Sequence, residues 1–162
     1  MIITPHLLIG AAIGAKIKHF GWIIVLGILS HIILDKIPHW DYADKKLEAF
    51  SQNKSYKSLF GLFLKIVIDG FAGLIILSFV IWQKNIINPK YLFYILIGIL
   101  ASLLPDILLG FAKFFPNKLQ ILEAYKAFHE KMHSPIHIKK PTLLGLSTEI
   151  LVSLIAILIL LL

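Results

Sequence analysis

The chain has 162 residues, 58% hydrophobic and 15% charged, against about 45–50% apolar and about 25% charged in an ordinary soluble domain. With a mean hydropathy of +0.85, it reads as one integral membrane domain over 1–162. No cysteine is present, which excludes disulfides, thiolate zinc sites and a cysteine nucleophile, and the +7 net charge comes from 16 basic residues, all lysine, a pattern that suits membrane-flanking loops better than a nucleic-acid partner read by arginine.

Thr4 and Pro5 look like the N-cap and first residue of a short helix to about Ile17, with Gly10, Ala11, Gly14 and Ala15 forming a small face for close packing. Lys16 and Lys18 follow the apolar stretch instead of preceding it, so the segment reads as a structural helix and not as a leader peptide. A second helix runs from about Phe20 to Ile37 and stops at Pro38. The polar stretch from His39 to Ser58 is a loop, with room for one helical turn near Lys45 to Phe50. Helix three covers about Leu59 to Trp82. Asn88-Pro89 opens helix four, about Lys90 to Ala112, after so short a loop that the two are antiparallel neighbours.

After Pro116-Asn117, the segment KLQILEAYKAFHEKMHS places Ile121, Leu122, Tyr125, Phe128 and Met132 on one helical face and Gln120, Glu123, Lys126 and Glu130 on the other. That pattern suits an amphipathic helix lying at the interface. Ser134-Pro135 ends it, and Pro141-Thr142 opens a last helix to Leu162. The expected fold is therefore all-α: a polytopic membrane bundle of about five hydrophobic helices plus one interfacial amphipathic helix. The first is marginal, because about 14 residues span only roughly 21 Å of a hydrocarbon core about 30 Å thick.

Eleven lysines (36, 45, 46, 54, 57, 113, 118, 126, 131, 139, 140) fall in the loops after helices two and four, against four (16, 18, 84, 90) on the other side. The positive-inside rule then puts the N-terminus and both long loops in the cytoplasm, in a cytoplasmic (inner) membrane. GILSHIILD (27–35) and GILASLLPD (98–106) match at Gly, Ile, Leu and the final Asp. A duplicated two-helix unit and chance identity in an Ile/Leu-rich chain both account for that.

Threading the helices back and forth brings nearly all histidines and acids to one side. His6 opens helix one, His31, Asp35, His39 and Asp41 close helix two, Asp106 closes helix four, His129 and His133 follow it, and Glu149 sits early in the last helix. Charges in hydrocarbon cost several kcal/mol unless partnered, so groups converging at one depth suggest a shared ion. His31 with Asp35, and His129 with His133, are i,i+4 pairs that project from one helix face. Imidazole with carboxylate suits zinc, or manganese or iron. The candidates exceed one ion's needs, and two ions bridged by an Asp would activate water near neutral pH and clamp a phosphoryl oxygen. Against this stand plainer roles: helix-gluing pairs, headgroup contact for His6, an ion pair of Asp69 with Lys65 at i−4, and an internal hydrogen-bond acceptor for Glu149. His19 and His137 look like loop residues.

The segments PHLLIGAAIG, LSHIILDKIP, SLLPDI and HEKMHS resemble the His-Leu-Leu, Ser-His-x-x-x-Asp, Leu-Pro-Asp-Ile and His-x-x-x-His-Ser elements of the YdjM-like family of predicted membrane-bound, metal-dependent hydrolases, itself remotely similar to zinc-dependent phospholipase C domains. The resemblance implies ligand roles for His6, His31, Asp35, Asp106, His129 and His133, and a hydrolytic activity. The chain departs from the pattern in motif order, in lacking the Asp and His after Pro-Asp-Ile, and in lacking Arg-Gly-x-Thr inside HEKMHS. The segment IPHWD offers His39 and Asp41 in their place. The expectation is a hydrolase with one or two divalent metals, zinc foremost, acting on a phosphoester or ester, a lipid headgroup above all, with Asp41 and Glu149 as candidate catalytic proton carriers. Its rivals are a metal-ion or proton transporter and a non-catalytic membrane module.

Overall fold

The computed structural model describes residues 2–40, 56–114, 119–134, 138 and 141–162. Six helices account for nearly all of them: α1 (Ile3–Lys16), α2 (Phe20–Asp35), α3 (Tyr56–Gln83), α4 (Pro89–Phe114), α5 (Gln120–Met132) and α6 (Leu143–Leu161). The expected helix at 45–50 lies outside the described residues, as do Asp41 and His137.

Five hydrophobic helices were more than the lengths support. Three, within α3, α4 and α6, are long and apolar enough to cross a membrane, whereas α2 is apolar but only 16 residues long and α1 has 14. At 1.5 Å per residue these two reach about 24 and 21 Å. Their shortness is tolerated because α1 is enclosed, packed on α2, α3, α4 and α6. A helix surrounded by protein does not have to match the bilayer.

The small face of α1 makes that enclosure possible. A methyl added at Gly14 would lie 2.1 Å from the carbonyl oxygen of Tyr94, and one at Gly98 would lie 2.1 Å from that of Gly10, so α1 and α4 are in backbone contact. Leu7, Leu8, Ala11 and Ala12 then meet Leu77 and Val80 of α3, Ile95 and Ile99 of α4 and Ala156 and Leu160 of α6 in the main core. These contacts fix the directions: α1, α3 and α6 run one way, α2 and α4 the other.

Asp69 has a structural task other than the expected pairing with Lys65. From the middle of α3 its carboxylate accepts the Ile3 N–H and the Thr4 hydroxyl, the latter at 2.6 Å. Thr4 is therefore not the N-cap: the helix begins at Ile3, and an acid from another helix holds its positive end. Pro5 falls in the first turn, where its missing N–H breaks no helical bond. His19, read as a loop residue, caps α2 by accepting from Trp22 N–H at 3.4 Å. The Asn88 side chain accepts from Lys90 N–H at 2.9 Å where α4 opens.

The segment after α2 is clamped onto α6. Thr148 Oγ1 donates to the Pro38 carbonyl at 2.9 Å, Gly145 lets Trp40 approach so closely that a methyl there would lie 3.0 Å from Trp40 N, and Trp40 forms a parallel bridge with Ile138. α5 packs along α4 and is pinned by Tyr125, whose hydroxyl donates to the Pro105 carbonyl at 2.9 Å. Its end is fixed by Ser134 N–H, which donates to the Asp35 carbonyl at 2.8 Å.

Candidate metal centre

The chain directions bring the start of α1, the end of α2, the last third of α4 and the end of α5 to one place. Asp35 is its centre. The residue is 2% exposed, and four imidazoles surround its carboxylate: His6 Nε2 lies 3.2 Å from Oδ1, while His31, His133 and His129 place Nε2 at 3.1, 3.5 and 3.6 Å from Oδ2. Asp106, on α4, stands 3.6 Å from His31 Nε2 and 3.9 Å from His129 Nε2.

Two donor groups result, each able to hold a metal ion. One is His31, Asp35, Asp106 and His129; the other is Asp35, His39 and His133, with the donor atoms of each group within 4.8 Å of one another. Asp35 belongs to both. Tetrahedral bonds of about 2.0–2.1 Å put neighbouring ligand atoms about 3.4 Å apart, and the contacts within the first group run from 3.1 to 3.9 Å. Its two carboxylates offset the charge of one divalent cation.

Backbone contacts set the tautomers. His31 Nδ1 lies 2.8 Å from the Ser102 carbonyl and His39 Nδ1 lies 2.7 Å from that of Ile37. A carbonyl can only accept, so each Nδ1 carries the proton and a neutral ring turns its Nε2 lone pair inward, the arrangement usual in metal-ligating histidines. His31 Nε2 faces His129 Nε2 at 3.3 Å, a separation that an N–H donated by His129 or a shared cation can fill. The residue before Asp106 interrupts the helix here: Pro105 lies inside α4 and has no N–H for the Ala101 carbonyl, next to that of Ser102.

Burial holds His39 in the neutral form, with its pKa lowered to about 4. His129 is pushed down by burial as well, partly opposed by Asp106 and Asp35. Tyr125 is pushed up to about 12, by burial and then by the same two carboxylates, so it stays a donor. Burial thus favours the neutral, ligating form of His39 and of His129, the carboxylates pulling His129 the other way.

Each expected site residue but Asp41, which lies outside the described residues, now has a place. His31, Asp35, Asp106, His129, His39 and His133 converge; His39, taken from IPHWD on chemical grounds, meets His133 with ring centroids 4.9 Å apart. His6 touches the shared carboxylate and stacks on His31, centroids 4.2 Å apart, but joins neither donor group. It is fully buried, with Nε2 toward Asp35 and no hydrogen-bond partner for Nδ1 among the described residues. Glu149 is 3% exposed on the α6 turn where its carboxylate faces the backbone N–H groups of Ile2 and Trp40. It stands outside both donor groups. The Ser102 and Ile37 carbonyls and the Tyr125 hydroxyl went unnoticed in the sequence. Pro105 beside Asp106 was the available sign for the first, since a mid-helix proline disturbs the carbonyls one turn back.

An apolar cavity of about 210 Å³ opens beside the first donor group, between α2 and α4 and under α5, with His31, Asp35 and His129 at its polar end. No family model, no curated protein and no solved structure matches this chain.

Proposed function

We propose that the protein is a membrane-embedded, metal-dependent hydrolase of a phosphoester or ester, a lipid headgroup above all. One observation carries the reading: imidazole and carboxylate donors from α2, α4 and α5 gather in a largely buried space at the separations of a metal's ligand shell. Helix gluing needs pairs, not a shell. The all-N/O donor set suits zinc first, with manganese or iron as further choices, and two groups sharing Asp35 provide for one or two ions. The resemblance of these same motifs to the YdjM-like hydrolases agrees with the proposal.

When bound, the metal supplies Lewis acidity toward a phosphoryl or carbonyl oxygen and a lowered pKa for water. The protein's own groups do the rest. Asp35 and Asp106 offset the cation charge, the Ser102 and Ile37 carbonyls hold two rings in the ligating tautomer, and Glu149, buried beside the His39 segment, carries the proton. Lysine placement supports a cytoplasmic membrane with the N-terminus and long loops inside, and so a site open to that side.

The test is metal content of the purified full chain beside His31→Ala and Asp106→Ala, followed by a phosphoester screen with zinc restored. Loss of bound metal in both variants and chelator-sensitive hydrolysis support the reading. Unchanged stoichiometry removes these residues from the site, activity that survives complete metal removal excludes the mechanism, and metal flux into liposomes without hydrolysis makes the protein a transporter.

A further inference from the structure

Beside His31, Asp35 and His129, the cavity under α5 is lined by Ile28 and Ile32 of α2, Leu104 and Leu108 of α4, and Phe128 and Met132 of α5. Leu104 also belongs to the apolar face that α2 and α4 turn outward. Leu29 and Ile33 of α2 and Leu104 and Ile107 of α4 are 39–62% exposed on helices whose other faces pack against each other and against α1. On one side the wall runs on past the site, since α4 continues from Asp106 to Phe114, about 12 Å further. A ligand reaching the donor group through this cavity passes apolar side chains of all three helices.

Resting on the hydrolase reading above, we propose that this cavity is a chain slot: it takes one hydrocarbon chain of an amphiphilic phosphoester from the bilayer and so brings the ester to the His31–Asp35–Asp106–His129 group. The occupant follows from size and lining. An apolar cavity of about 150 Å³ stays dry and admits benzene; one of about 210 Å³ admits a single alkyl segment somewhat longer than six carbons. A second chain does not fit and stays in the bilayer. A chain that moves from bilayer to slot exchanges one apolar surrounding for another, so burial contributes little affinity. What the slot contributes is position: the bond to be cut is held at a fixed distance from the chain, next to the donor atoms. Ile28, deep in α2, limits how far the chain enters, and Leu104, at the rim, controls access.

The test uses the full chain in phosphatidylcholine vesicles with zinc and a single-chain C12 alkyl phosphate carrying a photoreactive diazirine on the chain. Crosslinks mapped by peptide are expected on α2, α4 and α5 around Ile28, Leu104 and Phe128, and a fivefold or greater loss of them in Ile28→Trp and Leu104→Trp. Leu104 is 39% exposed, so its variant tolerates the larger ring if Ile28→Trp fails to fold; retained zinc content marks a folded variant. In parallel, the ratio of C12 to C2 phosphoester turnover is expected to fall at least tenfold in the same variants. Crosslinks spread over the lipid faces of α3 and α6 as densely as over the slot overturn the proposal, as does labelling that neither tryptophan reduces. Slot labelling with no hydrolysis of any ester leaves the chain site standing and removes the hydrolase.

Discussion

Asp35 is the residue on which both donor groups depend, so single substitutions separate the groups. Asp35→Asn is expected to lose metal from both, Asp106→Ala from the first alone and His39→Ala from the second alone, read as metal per chain by elemental analysis. The lowered pKa of His39 sets a pH dependence for the metal-free protein. In the unfolded chain the ring titrates near 6.5 and in the folded protein near about 4, so between these values only the unfolded chain takes up the proton. Stability is highest above about 6.5, falls as the pH drops toward about 4 and levels off below it. A thermal midpoint measured against pH in chelator is expected to show that slope, flattened in His39→Gln. At this scale the sequence was legible wherever chemistry is local: the i,i+4 pairs of α2 and of the α5 end, and Asp106 after Pro105, announce themselves by type and spacing. Asp69 shows the limit. Its neighbour Lys65 suggested an ion pair within the helix, while the carboxylate is also taken up by the Ile3 N–H and the Thr4 hydroxyl at the start of α1, 66 and 65 residues away in sequence.

At the scale of elements, the contact of α1 with α4 governs where His6 stands. Gly98→Ala puts a methyl 2.1 Å from the Gly10 carbonyl oxygen and forces the two backbones apart. Overpacking of this kind costs about 1–3 kcal/mol; we expect a denaturation midpoint lowered accordingly, together with weaker metal retention. Asp69→Asn, which weakens the borrowed cap of α1, is expected to cost about 1 kcal/mol. The small face of α1 was readable from Gly10, Ala11, Gly14 and Ala15, and so were the starts of α4 and α6, from Asn88-Pro89 and from Thr142, which accepts from Gly145 N–H at 3.2 Å. Which helix the face meets was not. Glycines at four-residue spacing show that a backbone comes close, whereas its identity depends on how hairpins pack, and no local pattern records that. For the same reason α1 was counted with the spanning helices: hydropathy does not distinguish burial in protein from burial in lipid.

In the molecule as a whole, the segments 27–35 and 98–106 lie side by side and parallel, Gly27 against Ala101, and their terminal aspartates both enter the first donor group. An ion held by that group would tie three helices together, α2, α4 and α5. Whatever binds the folded protein and not the unfolded chain stabilises it, by about 2.7 kcal/mol at a hundredfold excess over Kd. Chelation is therefore expected to lower the thermal midpoint by roughly 5–10 °C, while Asp35→Asn, already without metal, is expected to show no such response.

The end of α5 is held at Asp35 twice over, since the main chain of that residue takes the Ser134 N–H while its side chain meets His129 and His133. The two catches sit on one residue and cannot open one after the other without straining the stretch between them. α5 therefore lifts as a whole or stays shut, and its amides and that of Ser134 should exchange with solvent deuterium at a common rate, faster by a common factor once the imidazoles are removed.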